Sequence, residues 1–271
     1  MAYSSTCRYD VAGPSFALLP QYLKNNGYLN PTNLCDGPFQ YAHKTHLPFF
    51  AWLDEHPPYL NIFNNYMSAY RAGHPIWCDP GFYPIESLTD GFNATISPVL
   101  LVDVGGNLGH DLKELRQKHP TLPGELILQD RSEVISNLPG TTEFNAIVHD
   151  FFTPQPILHA RAYYLHSVLH DWGDDDCVKI LKCLKPALKK GYSKILVNEI
   201  VVAEENATLS STSMDQLMLV LGAMKERTEK EWTNILIEAG YSVLKIWSCP
   251  GVAESVIEAV LNDSDIPLED I

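Results

Sequence analysis

The sequence predicts an α/β fold: a parallel, doubly wound sheet with a C-terminal antiparallel hairpin and a small helical region at the N-terminus. Three observations support this prediction. An apolar run breaks into glycines and then a helical pattern over residues 99–118. From residue 98 onward, strand-like runs alternate with amphipathic helical patterns, which is typical of doubly wound sheets. The strand-like runs 241–247 and 254–261 are joined by a link too short for a helix, so they must be antiparallel neighbours.

The first 95 residues differ in character from the rest of the chain. They are rich in proline, asparagine, glycine and aromatic residues, with short helical patterns at 16–25, 48–55 and 60–72. We therefore predict a helical region over 1–95 and a sheet domain over 96–271.

The sheet domain contains clear start and stop signals. Its predicted strands are 99–104, 125–129, 145–148, 161–168 and 194–202. A predicted helix over 175–190 opens with three aspartates and ends with lysines, the charge order that a helix dipole favours, and Gly191 ends it. A second predicted helix opens with a capping box between Thr228 and Glu231 and ends at Gly240.

The loop after the first strand predicts a nucleoside cofactor. Glycines there let the backbone approach a ligand, and the helix that follows points its amide groups into the same crevice. Asp130 ends the next apolar run, at a spacing that suits a carboxylate bound to ribose hydroxyls. The dinucleotide pattern G-x-G-x-x-G is not met, and together with the terminal hairpin this disfavours an NAD dehydrogenase. The form Asp103-x-Gly105-x-x-x-Gly109 is instead that of enzymes that use S-adenosylmethionine (SAM).

Composition restricts the class of partner. The net charge of −14, from 19 basic and 33 acidic residues, repels nucleic acid and anionic membranes and favours a small-molecule partner. The sequence has neither a signal-peptide pattern nor an apolar run long enough to span a bilayer, so we expect a cytoplasmic protein. The six scattered cysteines are expected to be reduced thiols. His43 and His46 have no further ligands at useful spacing, so no metal is expected.

A second informative segment runs from Tyr163 to Trp172. It is a strand-like run that ends in His170, Asp171 and Trp172, at the sheet edge where ligands bind in such folds. A histidine there can accept a proton near neutral pH, and an aromatic neighbour can contact a cationic sulfonium. We interpret His170 as a functional residue rather than as a strand-end cap.

Several segments together resemble one family. They occur in a fixed order and spacing: 103–110, 129–135, 149–154, 169–172, 197–199 and 225–228. In these segments the chain resembles the fungal relatives of plant small-molecule O-methyltransferases of the caffeic acid and flavonoid type. The resemblance runs from about Gly13 to the C-terminus and implies the Rossmann-like sheet of SAM methyltransferases.

The resemblance also implies roles for individual residues. His170 corresponds to the general base, and Glu199 and Glu226 to the carboxylates that orient it. The implied SAM-binding residues are Asp103, Gly105, Gly106, Asp130, Asp150 and Phe151. Phe63, Asn64 and Met67 correspond to the helix that lines the substrate pocket. For Glu199 an ordinary strand-end charge remains open, as does a core stripe for Phe63 and Met67.

The chain departs from the family pattern in three respects. Asn107 stands where the family has a third glycine, although asparagine tolerates positive φ better than other residues. His166 stands where plant members carry lysine, and no role is assigned to it. From the resemblance we expect only the tail of the family's N-terminal dimerisation domain in this sequence, so residues 1–95 are interpreted as a substrate lid and a remnant of that domain. A homodimer and a complex with another subunit both remain open.

The sequence therefore predicts a SAM-dependent O-methyltransferase that acts on a hydroxyl of an aromatic or polyketide-like secondary metabolite. Two alternatives remain. One is a family member that does not methylate and instead catalyses a cyclisation, a dehydration or a pericyclic reaction. The other is an auxiliary subunit of a split enzyme, whose apolar residues 39–83 dock a partner.

Overall fold

The structure is a computed structural model that describes residues 7–69, 73, 75–138, 140 and 143–262. The side chains of residues 7, 8, 64 and 66–69 lie outside this description. Within these ranges, no helix combines the length and the apolar character needed to cross a bilayer.

Helices and strands alternate through most of the described ranges. The α-helices there are α1 (Gly13–Asn25), α2 (Pro38–His43), α3 (Phe49–Glu55), α4 (Tyr59–Ala69), α5 (Ile85–Thr89), α6 (His110–Lys118), α7 (Ser132–Ile135), α8 (Asp174–Leu184), α9 (Leu209–Gly222) and α10 (Glu229–Glu238). The strands are β1 (Val99–Val104), β2 (Glu125–Asp130), β3 (Asn145–Val148), β4 (Ala162–His166), β5 (Lys194–Val202), β6 (Arg227–Thr228), β7 (Tyr241–Ser248) and β8 (Glu254–Leu261). A π-helix lies at Cys7–Ala12, and 3₁₀ turns lie at Leu169–Asp171 and Lys185–Ala187.

The strands form one mixed sheet in the order β3-β2-β1-β4-β5-β8-β7, with β6 beside β5. The pairs β1–β2, β1–β4, β2–β3 and β4–β5 are parallel. Strand β8 runs antiparallel to both β5 and β7. The predicted fold class, including the terminal hairpin, is confirmed.

Two predicted element ends differ from the structure for local reasons. The strand predicted over 161–168 spans only Ala162–His166, because Ser167 adopts a left-handed backbone with φ +50°. The helix predicted over 175–190 ends at Leu184 and continues as a 3₁₀ turn containing Pro186, which lacks the N–H that a continuing helix needs. The predicted capping box of α10 is confirmed: the Glu231 amide donates to Oγ1 of Thr228 at 3.3 Å.

The N-terminal helical patterns correspond to α1, α3 and α4, except that residues 70–72 of the predicted 60–72 lie outside the described ranges. Four helices were not predicted: α2, α5, α7 and α9. The first turns of α9 are rich in serine and threonine, which have low helix propensity, so its pattern is weak.

The first compact unit contains the described residues up to 74, together with His170–Gly173 and Val202–Glu226. Its core is a cluster of aromatic and aliphatic side chains: Val11, Phe39, Phe49, Trp52, Leu53, Met218, Leu221 and Met224. Helix α9 therefore belongs to the helical unit, although it follows the fifth strand in sequence.

The second unit contains Pro75–Leu169, Asp174–Val201 and the described residues from Arg227 onward. Its core covers the sheet and includes Trp77, Tyr83, Leu88, Leu100, Leu101, Leu112, Leu115, Tyr164 and Val256. Residues 75–95 belong to this unit, whereas the sequence predicts a division at residue 95. The predicted domains 1–95 and 96–271 remain a prediction about which parts of the chain fold independently.

Candidate active site

The glycine loop follows directly from the fully buried strand β1. Gly105 and Gly109 have φ of +76° and +73°, values that L-residues rarely adopt. Asn107 lies between them with φ +53°, so asparagine supports the left-handed turn here. The Gly105 amide donates to the carbonyl of Gln129 at 2.8 Å, which ties the loop to the end of β2.

The loop is packed too closely to carry side chains at its first two glycines. A Cβ atom on Gly106 would lie 2.6 Å from Cδ1 of Leu128 and would also overlap the Asp103 carboxylate. A Cβ on Gly105 would lie 3.0 Å from Cγ2 of Val168. The loop therefore packs against the segment that precedes His170 in the chain.

Asp130, at the end of β2, holds the glycine loop. Its Oδ2 accepts a hydrogen bond from the backbone N–H of Asn107 at 2.8 Å, and its Oδ1 accepts one from Arg131 at 2.7 Å. Burial raises the pKa of Asp130, and these two amides act in the opposite direction. Each carboxylate oxygen has a second lone pair, so the predicted ribose contact remains compatible with this role and remains a prediction.

The loop has features that suit a polar ligand. The side-chain oxygen of Asn107 is buried and has no hydrogen-bond partner within the described ranges. The same is true of Nε2 of His149, which follows β3. Burial lowers the pKa of His149, opposed by the Asp150 carboxylate. Unsatisfied buried polar atoms call for an explanation, and a ligand with hydroxyl or amino groups supplies one.

Asp150 and Phe151 follow His149. Oδ1 of Asp150 accepts the backbone N–H of Phe152 at 3.0 Å, which shapes the turn. The half-buried ring of Phe151 lies 5.2 Å from that of Phe152, measured between centroids. Their predicted contacts with an adenine ring remain predictions.

Glu199 is buried in β5 and shapes the turn that precedes His170. Its Oε1 accepts the backbone N–H groups of Val168 at 2.9 Å and Leu169 at 2.8 Å. A carboxylate bound to two amides is a strong local anchor. Glu199 is thus more than an ordinary strand-end charge, since it fixes the backbone immediately before His170.

His170 and Glu226 are brought together within the helical unit, although 56 residues separate them. Nδ1 of His170 lies 3.0 Å from Oε1 of Glu226, whose side chain is fully buried. The Lys225 amide also donates to the carbonyl of His170 at 3.3 Å. Because Nδ1 faces a carboxylate, a neutral ring carries its proton there and leaves Nε2 as the acceptor.

Asp171 lies beside that second nitrogen. Its Oδ1 is 3.6 Å from Nε2 of His170. Burial raises the pKa of Asp171 to about 6; the attraction of His170 opposes this rise and the carboxylate of Glu226 adds to it. No pattern in the sequence indicates a role for this carboxyl group, and only the tertiary structure shows its environment.

Phe63, in α4, packs within the aromatic cluster of the helical unit. Its ring centroid lies 5.6 Å from that of Phe49 and 5.8 Å from that of Phe50. Asn64 and Met67 lie on the same helix, but their side chains are outside the described part of the structure. The predicted substrate contacts of all three residues remain predictions.

His166 has a buried environment that the sequence did not reveal. Its Nδ1 lies 2.7 Å from Oδ2 of Asp111, in the first turn of α6, and its Nε2 lies 3.3 Å from Oε2 of Glu254, at the start of β8. The imidazole therefore links the helix after the glycine loop to the terminal hairpin. Its partners are 55 and 88 positions away in sequence (166 − 111 and 254 − 166), so no local pattern could identify them.

Comparisons with known proteins agree with the fold described above. The family model for an O-methyltransferase domain matches residues 91–242. The chain is similar to the O-methyltransferase mpaG' of Penicillium brevicompactum, with 54% identity over 96% of this chain and 67% of the relative. The chain thus spans about two thirds of the length of that relative.

Solved structures are similar as well. The LepI complex with SAM and a pericyclic reaction enzyme each align with a TM-score of 0.87 and 26% identity, over 96% of this chain and 67% of theirs. OxaC in complex with S-adenosylhomocysteine (SAH) and oxaline aligns with a TM-score of 0.85 and 26% identity, over 94% of this chain and 65% of that one. SAM or SAH is thus bound in proteins that share this fold.

Proposed function

Because this chain belongs to the SAM-dependent O-methyltransferase family, as its motifs predicted, we propose that it methylates a hydroxyl group of an aromatic or polyketide-like secondary metabolite with His170 as general base. SAM is the cofactor of the family. The similar proteins include fungal enzymes named as O-methyltransferases. Since this chain spans only about two thirds of their length, its own activity and substrate are part of the proposal.

The observation that carries the proposal is the contact between His170 and Glu226. Their 3.0 Å contact occupies Nδ1 and leaves Nε2 to accept a proton. A phenol with a pKa of about 10 is mostly protonated at neutral pH, so a base must remove its proton as the oxygen attacks. The buried Glu226 carboxylate stabilises the imidazolium that results.

The glycine loop is the proposed cofactor site, and the residues there fit a polar nucleoside ligand. The side-chain oxygen of Asn107, which has no partner among the described residues, and the left-handed backbone at Gly105 support this assignment. SAM supplies an electrophilic methyl group on a sulfonium. We assign its methionine portion to the loop and Asp103, its ribose to Asp130, and its adenine to Asp150 and Phe151.

One contact supports joint action of the loop and the histidine. Val168 packs against Gly105, and His170 follows Val168 by two residues. The base thus lies close in sequence to a residue in contact with the proposed cofactor loop. Methyl transfer needs both groups held in position, because positioning alone supplies several kcal/mol.

The test measures binding and transfer separately in His170→Asn and in a matched control, His43→Gln. His43 lies in the same unit and its Nε2 contacts the carbonyl of Val11 at 2.8 Å. Binding of SAH is measured by calorimetry, and transfer by isotope-labelled SAM with a panel of phenols and hydroxylated polyketides. We expect wild type and H43Q to transfer the label, and H170N to bind SAH but transfer about 10²- to 10⁴-fold more slowly.

Equal rates for wild type and H170N would contradict the assignment of the base. Binding of SAH without transfer to any panel member would instead favour a reaction without methylation, for which the similarity to a pericyclic reaction enzyme is the supporting observation. Failure to bind SAH would favour an auxiliary subunit. A homodimer or a complex with a second subunit remains a proposal, and the mass of the purified assembly distinguishes them.

A further inference from the structure

We propose that Arg227 is a positioning residue that orients His170 by binding the backbone carbonyl of Leu169 on one side of it and the side chain of Asp174 on the other, a role that rests on the function proposed above. Arg227 is fully buried in the sheet unit. It follows Glu226 directly in the chain, within the segment 225–228 that carries the family resemblance, and the resemblance implies no role for it.

The guanidinium of Arg227 binds two separate points on the chain. Its NH1 donates to the carbonyl of Leu169 at 3.1 Å. Its Nε donates to Oδ1 of Asp174 at 2.9 Å, and its NH2 lies 2.8 Å from the same oxygen. Leu169 and Asp174 are the residues immediately before and after the segment 170–173. One side chain therefore fixes both ends of the short segment that contains His170.

The Leu169 carbonyl determines the orientation of the peptide plane that precedes His170. It belongs to the same peptide plane as the backbone nitrogen of His170, so fixing this oxygen limits how that plane can rotate. The carbonyl also accepts the thiol of Cys177 at 3.1 Å. On the other side of the residue, Glu199 binds the Leu169 amide at 2.8 Å. The backbone carbonyl and the backbone N–H of Leu169 are thus both hydrogen-bonded. Together these bonds restrict the backbone from which the His170 side chain extends.

Two consecutive residues, Glu226 and Arg227, contact two other consecutive residues, His170 and Leu169. Glu226 contacts the ring of His170, while Arg227, the next residue along, contacts the carbonyl of Leu169. The guanidinium carbon also lies 4.9 Å from the centre of the Trp232 ring, which limits its movement. If the peptide plane turned, the imidazole would lose its alignment with Glu226 even though Glu226 itself was unchanged.

Lysine cannot replace this arrangement. A lysine keeps the positive charge, but it presents a single ammonium point instead of a planar fork that reaches a carbonyl and a carboxylate together. Arg227→Lys should therefore leave His170 and Glu226 in the sequence while loosening their alignment. We expect the ring to lose its preference for a proton on Nδ1.

The experiment reads the tautomer of His170 by ¹⁵N NMR of histidine-labelled protein at about pH 8.5, above the ordinary histidine pKa of about 6.5. His170→Gln identifies the signals. The matched control is Arg161→Lys, because Arg161 is also buried, donates to backbone carbonyls of Leu88 and Asp90, and lies over an aromatic ring, that of Tyr192. It precedes β4, at the end of that strand opposite His166.

We expect the Nδ1–H tautomer in wild type and in R161K, and a shift toward the Nε2–H form in R227K. Where the panel provides an acceptor, R227K should lower kcat by roughly 10- to 100-fold and leave the KM for SAM within about twofold. If R227K does not fold, Asp174→Asn weakens the same contact from its half-exposed side and should shift the tautomer in the same direction.

Unchanged His170 signals in folded R227K would overturn the inference, as would equal shifts in R161K and R227K. An Nε2–H tautomer already present in wild type would instead contradict the proposed base geometry. Failure of this inference and failure of the proposed base geometry therefore give different NMR results. The NMR measurement does not require the substrate to be known.

Discussion

Nδ1 of His170 lies 3.0 Å from Oε1 of Glu226, and the glutamate side chain is fully buried. A buried carboxylate beside an imidazole stabilises the protonated ring more strongly than an exposed one does, because solvent screens it less. The contact thus fixes the tautomer of the neutral ring.

Glu226→Gln tests this contact. The amide keeps the shape of the side chain but loses the charge, so we expect kcat to fall by about 100-fold or more, within the range of general-base catalysis, while SAH affinity stays within about twofold. Steady-state kinetics and calorimetry measure both quantities. Glu229→Gln, at an exposed position of α10, serves as the control. Equal losses in both variants, or a loss of SAH affinity alone, would contradict the prediction.

Asp130→Asn should weaken cofactor binding. The Asp130 carboxylate accepts the amides of Asn107 and Arg131 on separate oxygens, whereas an asparagine side chain has one oxygen acceptor. One amide then loses its partner, at a cost of about 1–3 kcal/mol. We expect SAH affinity to fall tenfold or more by calorimetry, with no comparable change in Asp176→Asn, which pairs with the exposed Lys179. Wild-type affinity in D130N would show that Asp130 does not hold the loop.

Gly106→Ala should disturb the loop through crowding. Its new methyl group would overlap Asp103 and Leu128, and such overpacking costs typically about 1–3 kcal/mol. We expect a lower melting temperature together with weaker SAH binding. Gly140→Ala is the matched control, because among the described residues nothing lies within 4 Å of a Cβ there. Thermal melts and calorimetry compare the two, and identical behaviour would show that the loop relaxes freely.

Asp171 should make stability depend on pH. Its pKa rises from an ordinary 3.8 to about 6 in the folded protein, so the folded state binds this proton more tightly than the unfolded state does. As pH rises from about 4 through about 6, the contribution of this group to the free energy of unfolding therefore falls by up to roughly 3 kcal/mol. Asp171→Asn, which does not titrate, should lack that loss. The loss of stability is measured from the melting temperatures of wild type and D171N between about pH 4 and 7.5. If the two melting temperatures change with pH in parallel, the raised pKa of Asp171 is refuted.

Local patterns were sufficient to predict strands β1 to β5, β7 and β8 and helices α6, α8 and α10. The β-branched run of β1, the glycines after it and the short link before β8 each restrict the backbone within a few residues, so periodicity and turn chemistry reveal them. Helix α9 was missed because serine and threonine obscure its pattern, and the end of α8 was placed too late because Pro186 was overlooked.

In the candidate site, too, some features were predicted from the sequence and others were not. The sequence identified His170 and Glu226 through motifs and a family resemblance, but the 3.0 Å contact between them depends on how the chain returns after β5. The anchoring of Leu169 by Glu199 and Arg227, the carboxylates around His166 and the raised pKa of Asp171 were decided only by the tertiary structure.

The physical reason is range. Hydrophobic period, caps and positive-φ glycines act between neighbours in the chain, and the sequence by itself therefore determined the α/β class and the glycine loop. Burial, hydrogen-bond partners and the electrostatics of a carboxyl group depend on atoms from distant segments. Those properties exist only once the segments have packed together.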